Sequence, residues 1–194
     1  MRKIHDFYFK KAKEERFHAR SVYKLQEIDQ KHRIIKKGAV VLDIGCAPGS
    51  WSQYLLKKIG SGTVVGIDLK EKVGISDPRF TYMRGDIFDL ELASLSLPVP
   101  GFDLVVSDAS PDTSGHRFTD SQRSLAIVRR VFSIAGSLLK PGGSVVAKVF
   151  EGEDLKSFID EVRHGYSRAI LFKPRSTRKE SKEIFIIAFH RRPR

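Results

Sequence analysis

Two hydrophobic periods alternate along this chain. Short, almost wholly apolar runs read as strands covered on both faces, and longer stretches with apolar residues at helical spacing read as helices with one buried face. The first such helix is predicted over 19–31, where Val22, Leu25 and Ile28 form the stripe. A strand follows from Ala39 to Gly45, then a glycine turn, a helix from about Ser50 to Ile59, and a break at Gly60-Ser61-Gly62. Further strands are expected at Thr63–Ile67, Thr81–Arg84, Phe102–Ser107, Ser144–Phe150, Arg168–Phe172 and Glu183–Phe189, with helices over 120–139 and 155–162. Lys140-Pro141-Gly142-Gly143 supplies a stop between the long helix and the fifth strand.

Strands and helices in this alternation imply a parallel, doubly wound α/β sheet of the Rossmann-like kind. The last two strands have no helix between them and are expected as antiparallel neighbours, which makes a seven-stranded, mostly parallel sheet with an antiparallel last strand and helices on both faces. There is no repeat, low-complexity tract or linker. A length of 194 residues therefore reads as one domain, 1–194, with 1–37 as a basic N-terminal helical extension.

Composition narrows the classes. No apolar run approaches the roughly 18–20 residues of a membrane span, so no membrane role is expected. The N-terminus shows no apolar leader, and the single Cys46 can form neither an internal disulfide nor a cysteine-rich zinc site. Both features fit a reducing cytoplasm. His18, His116 and His164 lack ligand spacing, so no metal is expected. The net charge of +12 is unevenly placed: residues 1–38 and 168–194 carry +7 each, and the middle of the chain carries −2. Basic ends around a mildly acidic body suit a polyanion such as RNA, although charge runs also occur as plain solvated faces.

Ligands of open parallel sheets bind beyond the carboxyl ends of the strands. That places Asp43, Asp68, Asp86 and Asp108, each near a strand end, around one candidate site. The richest segment is Asp43-Ile44-Gly45-Cys46-Ala47-Pro48-Gly49, whose Gly45 and Gly49 permit a tight turn and close backbone approach. It does not fit the dinucleotide fingerprint and lacks the lysine of a phosphate-cradling loop. An acid before such a turn suits a cationic cofactor, and S-adenosylmethionine fits. Asp43 and Asp108 would lie near its ammonium and sulfonium, Asp68 would accept the ribose hydroxyls, Asp86 the adenine amino group, and Trp51 would shape the pocket. Taken singly, each acid also reads as a turn residue or helix cap, and Trp51 as core. Cys46 reads as a small buried packing residue.

Five segments resemble the FtsJ/RrmJ family of ribose 2′-O-methyltransferases, in the order that family has them. They are Ala19-Arg20-Ser21-Val22-Tyr23-Lys24-Leu25-Gln26-Glu27-Ile28-Asp29, Asp43 to Gln53, Ser107-Asp108-Ala109-Ser110-Pro111-Asp112-Thr113-Ser114-Gly115, Gly142 to Lys148, and Ser181-Lys182-Glu183-Ile184-Phe185. The resemblance implies a methyltransferase fold, S-adenosylmethionine as cofactor, and a Lys-Asp-Lys-Glu tetrad at Lys24, Asp108, Lys148 and Glu183. It also implies that Gly49, Trp51, Asp68, Asp86 and Asp108 line the cofactor site. Its first implied substrate is a uridine in the peptidyl-transferase centre of large-subunit ribosomal RNA, free or in the assembled subunit, with no obligate protein partner. The alternatives are the tRNA anticodon-loop branch, a non-catalytic RNA-binding assembly factor, and a small-molecule methyltransferase. Two departures stand out: Ser50 where glycine is common, and Ala109-Ser110-Pro111-Asp112 in place of Met-Ala-Pro-Asn.

The chemistry asks for these residue types. A ribose 2′-hydroxyl is a poor nucleophile at neutral pH, so the gain must come from positioning and from removing or polarising its proton. Lys148 is the candidate for that proton, with Lys24 as a second cation and Asp108 as its holder. An antiparallel last strand starts Glu183 at the edge where Lys148 ends, whereas a parallel one would place it about 17–20 Å away. A salt-bridge cluster without chemistry is the alternative. Arg16 and Arg20, with Lys10 and Lys13, are expected on phosphates, and Arg175, Arg178, Lys179 and Lys182 form the other basic rim. Phe7, Tyr8, Phe9 and Phe17 either stack on bases or anchor the extension to the body.

Overall fold

A computed structural model of the chain describes residues 2–89, 101–178 and 180–193, with side chains from residue 7 onward. Lys179 lies outside the described residues. The elements in order are α1 (Arg2–Glu14), α2 (Val22–His32), β1 (Val40–Ile44), α3 (Ser50–Ile59), β2 (Thr63–Asp68), β3 (Phe80–Arg84), β4 (Phe102–Ser107), α4 (Arg117–Leu138), β5 (Leu139–Phe150), α5 (Leu155–Gly165), β6 (Tyr166–Phe172) and β7 (Glu183–Arg191). They build one seven-stranded sheet in the order β3-β2-β1-β4-β5-β7-β6. Among these strands only β7 runs against the others; it is inserted between β5 and β6 and pairs with both.

Strand parity sorts the side chains into two cores. Val41, Val64, Leu104, Val106, Val146, Phe185 and Ile187 face α2 and α3, joined by the Val22, Leu25 and Ile28 stripe. Leu42, Ile44, Val65, Val105, Val145, Ala147 and Val149 face the other way, under α4 and α5. Burial on both faces is why these strands read as continuous apolar runs rather than alternating ones.

The largest difference from the pattern is at β5. The Lys-Pro-Gly-Gly stop does not separate helix from strand, because β5 begins directly at Leu139. Phe102 pairs with Leu139 and Leu104 with Ser144, so the extra residues form a bulge. Proline, which has no N–H, and Gly142 at φ +80° are tolerated where the ladder is interrupted. The N-terminal extension holds α1 as well as α2, joined through Arg16 in a left-handed conformation. Among the described residues no helix is long and apolar enough to cross a membrane, and no group of candidate metal ligands is present.

Candidate active site

Four charged side chains from four elements meet at the carboxyl edge of the sheet, on the α2/α3 side. Asp108 follows β4 directly, in step with Val106, which faces α2 and α3. On β5, Lys148 has the parity of Val146. In β7, Glu183 pairs with Phe150, two residues from the Lys148–Phe185 pair. The antiparallel inversion thus puts the first residue of β7 beside the end of β5. Lys24 descends from α2, one flank away from the buried stripe.

The contacts are direct. Lys24 Nζ donates to Glu183 Oε2 at 2.7 Å and lies 3.9 Å from Asp108 Oδ1. Lys148 Nζ donates to the Asp108 backbone carbonyl at 2.7 Å, and lies 3.2 Å from Asp108 Oδ1 and 3.8 Å from Glu183 Oε1. The Lys148 side chain is 6% exposed and the Glu183 side chain 22%. Burial pushes the Glu183 carboxyl up, but the charge and hydrogen bond of Lys24, the charge of Lys148 and a hydrogen bond to Ser181 outweigh it and hold the group below its ordinary value. Two cations and two carboxylates give a balanced cluster.

The glycine turn packs beside it. Gly45 has φ +72°, and a Cβ there would come 2.6 Å from the Ala109 Cβ, so glycine lets this turn sit against the residue after Asp108. Gly49, at φ +111°, is covered by Val73 and Ile75 from the loop after β2. Asp43 is fully buried; Ser52 Oγ donates to its Oδ2 at 2.6 Å. Burial and the nearby charges of Asp108 and Asp68 push its pKa up to about 7, against the hydrogen bond from Ser52. Asp68 receives the backbone N–H groups of Ala47 at 2.8 Å and Lys70 at 3.0 Å, which fix the turn and leave lone pairs on both oxygens. Asp86 closes a local turn by accepting from the Phe88 N–H. Asp43 Oδ1 is a buried acceptor with no hydrogen-bond donor, whereas Asp108 Oδ1 is shared by the ion pairs to Lys148 and Lys24. A buried carboxyl with an unused acceptor beneath a glycine turn fits a ligand that brings a hydrogen-bond donor such as an ammonium group.

Trp51 is placed behind the site rather than on its surface. It is 2% exposed, donates from Nε1 to the Ser21 carbonyl at 2.9 Å, and packs on Phe185 with ring centroids 5.9 Å apart. It thereby braces the start of the Lys24 helix and the strand of Glu183. Cys46 is buried, and burial holds its thiol above the ordinary value. Arg20 is half-buried at the mouth. Burial and Arg178 lower its guanidinium while Glu183 raises it, so two arginines crowd one rim. Arg16, Arg175 and Arg178 are exposed.

Several positioning residues have no local sequence signal. Asp29 accepts from Tyr54 Oη at 3.0 Å and the Ile35 N–H at 3.1 Å, tying α2 to α3. Glu27 accepts the Arg175 and Ser176 backbone N–H groups at 2.6 and 2.8 Å, fastening the β6–β7 loop to α2. Asp120 accepts from Ser114 and Gly115 and holds the end of the loop after Asp108.

Comparison with known proteins gives a consistent result. The family model described as FtsJ-like methyltransferase matches residues 17–191. The chain is 43% identical over 192 residues to the ribosomal RNA large subunit methyltransferase E of Desulfosudis oleivorans, covering 98% of this chain and 93% of that protein. It is 46% identical over 187 residues to the protein of the same name from Brachyspira hyodysenteriae, covering 96% and 95%. Among solved structures, a Plasmodium falciparum protein assigned as a ribosomal RNA methyltransferase shares the fold, with a TM-score of 0.80, 24% identity, and coverage of 92% of this chain and all of that one.

Proposed function

This chain belongs to the FtsJ-like methyltransferase family, and we propose that it transfers the methyl group of S-adenosylmethionine to a ribose 2′-oxygen of large-subunit ribosomal RNA, at a uridine of the peptidyl-transferase centre. The relatives' names support the ribosomal substrate. The observation that carries the chemistry is the tetrad, above all the 2.7 Å bond between Lys24 and Glu183, which lie 159 residues apart.

In this reading Asp43 and Asp108 hold the cationic end of the cofactor, Asp68 uses its remaining lone pairs for the ribose hydroxyls, and Asp86 faces the adenine. Gly45 and Gly49 form the turn, and Trp51 braces it. When bound, S-adenosylmethionine supplies a sulfonium methyl whose bond to sulfur breaks as its bond to the ribose oxygen forms. Lys148 Nζ enters this step as the neutral amine, having released one proton to solvent, and receives the hydroxyl proton. The oxygens of Asp108 and Glu183 around that nitrogen stabilise the ammonium it becomes, and Lys24 keeps Glu183 ionised. Positioning and proton removal together account for most of the expected rate gain. Arg20 and Arg178, crowded at the mouth, gain from phosphate placed between them, with Arg16 and Arg175 extending the basic path.

The test offers purified protein and methyl-labelled cofactor to large ribosomal subunits, protein-free ribosomal RNA and bulk tRNA in separate reactions. Label in large-subunit RNA is the expected result. Label confined to tRNA would move the enzyme to the anticodon-loop branch, and transfer to neither would leave an assembly factor.

A further inference from the structure

Beside the tetrad, on the far flank of α2, lies a groove of about 680 Å³ that the mechanism leaves unused. Its walls come from α1, α2 and the end of β6. It presents two half-buried aromatic rings, Tyr8 and Phe172, and four cations, Lys11, Lys31, Lys173 and Arg175. Glu27 is its acidic residue, and both its carboxylate oxygens are already engaged by the loop. Lys31 Nζ rests 4.8 Å from the centre of the Phe172 ring, and Lys11 Nζ 4.9 Å from that of Tyr23 beneath Tyr8. Tyr23 and Glu27 in its wall and Lys24 of the tetrad are carried by the same helix, α2.

We propose that this groove binds an unpaired nucleotide flanking the target ribose, with its base stacked on Tyr8 or Phe172 and its phosphate on Lys31, Lys173 and Arg175. The proposal rests on the RNA reading above. Aromatic faces beside flexible cations match single-stranded RNA, whose bases stack while the backbone is neutralised. Duplex RNA has its bases already stacked and gains nothing from the rings. An acidic peptide would use the cations and leave the aromatic faces idle. The lysine over Phe172 gives up the ring to the base and moves to the phosphate, so the site is held by cation–π contact until RNA arrives. The grip of Glu27 on residues 175 and 176 keeps the cationic wall in register with α2.

The experiment measures anisotropy of a fluorescein-labelled single-stranded octauridylate and of a duplex of equal length across a salt series. The Tyr8→Leu/Phe172→Leu double variant keeps apolar packing and loses the π faces. It is expected to bind the single strand about 5- to 100-fold more weakly, with an unchanged salt slope, an unchanged duplex affinity and a thermal midpoint close to that of the parent. The Lys31→Gln/Lys173→Gln double variant is expected to reduce the single-strand salt slope by about 1.4. In the unmutated protein, an oligonucleotide carrying one 2-aminopurine is expected to lose fluorescence on binding through stacking. Salt-dependent RNA binding that ignores the Leu variant and leaves 2-aminopurine bright overturns the groove and spares the RNA reading. Absence of RNA binding by the unmutated protein overturns both.

Discussion

Under α4 and α5 the sheet buries Val105, Val145, Val149, Phe158, Ile159 and their neighbours, an apolar layer throughout. The buried acid on that side among the described residues, Asp120, sits at the start of α4 and serves the adjoining loop. Under α2 and α3 the same sheet buries Lys24, Asp29, Asp43 and Lys148 among equally apolar neighbours. Burying charge is costly even when the charges are paired, and an apolar replacement of the same shape is often as stable. A face that accepts this cost at one edge, next to a glycine turn, is shaped by what it must hold. The opposite face is free to supply stability, and the difference assigns separate jobs to two cores of the same sheet.

The sharpest way to break that division is to exchange the effects. Lys148→Met should lower methyl transfer by about 10²–10⁴-fold while the protein stays folded. Phe158→Ala, on the other face, should lower stability by about 3–5 kcal/mol and leave turnover per folded molecule unchanged. Labelled-methyl transfer combined with denaturant unfolding checks both, and a Phe158 variant as slow as the Lys148 variant would erase the distinction.

A titration sharpens it further. Asp43 is held with its pKa at about 7, so it binds its proton more tightly folded than unfolded. The resulting stabilisation is complete below the ordinary aspartate value and lost as pH rises to about 7. Asp43→Asn should flatten the stability profile between about pH 4 and 7, by at most about 4 kcal/mol across the window. Unfolding curves that keep the slope in the variant would place the titration elsewhere. The smallest expected change is Trp51→Phe. It removes the indole donor from the Ser21 carbonyl, which keeps the Lys24 N–H at 3.1 Å, and should cost about 0.5–1.5 kcal/mol, read as a shift in denaturation midpoint.

Much of this contrast is legible in the order of the amino acids. Apolar runs such as 39–45 and 102–107 mark strands buried on both faces, and the missing helix between the last two strands marks the inversion that brings Glu183 to Lys148. The helical stripe of Val22, Leu25 and Ile28 leaves Lys24 on a buried flank. What stays hidden depends on contacts between distant residues. The bond from Glu27 to residue 175 and that from Asp29 to Tyr54 have no local period, and an acid inside an amphipathic helix looks like any solvated one. The Pro-Gly stretch in β5 reads as a stop because local turn chemistry does not reveal that β4 lies alongside to receive it as a bulge. Trp51 reads equally as a cofactor wall or as core. Its bond to Ser21 makes it a brace, a role that emerges only once α2 and α3 are packed.

The central claim concerns where the methyl group lands, and alkaline hydrolysis of the reacted RNA tests it directly. A 2′-oxygen that carries a methyl cannot attack the neighbouring phosphate. Large-subunit RNA treated with the enzyme should therefore show one alkali-resistant linkage at the labelled nucleotide, and RNA treated with the Lys148→Met variant should show none. Label on a base, with the backbone still cleaved at that nucleotide, would contradict transfer to the ribose.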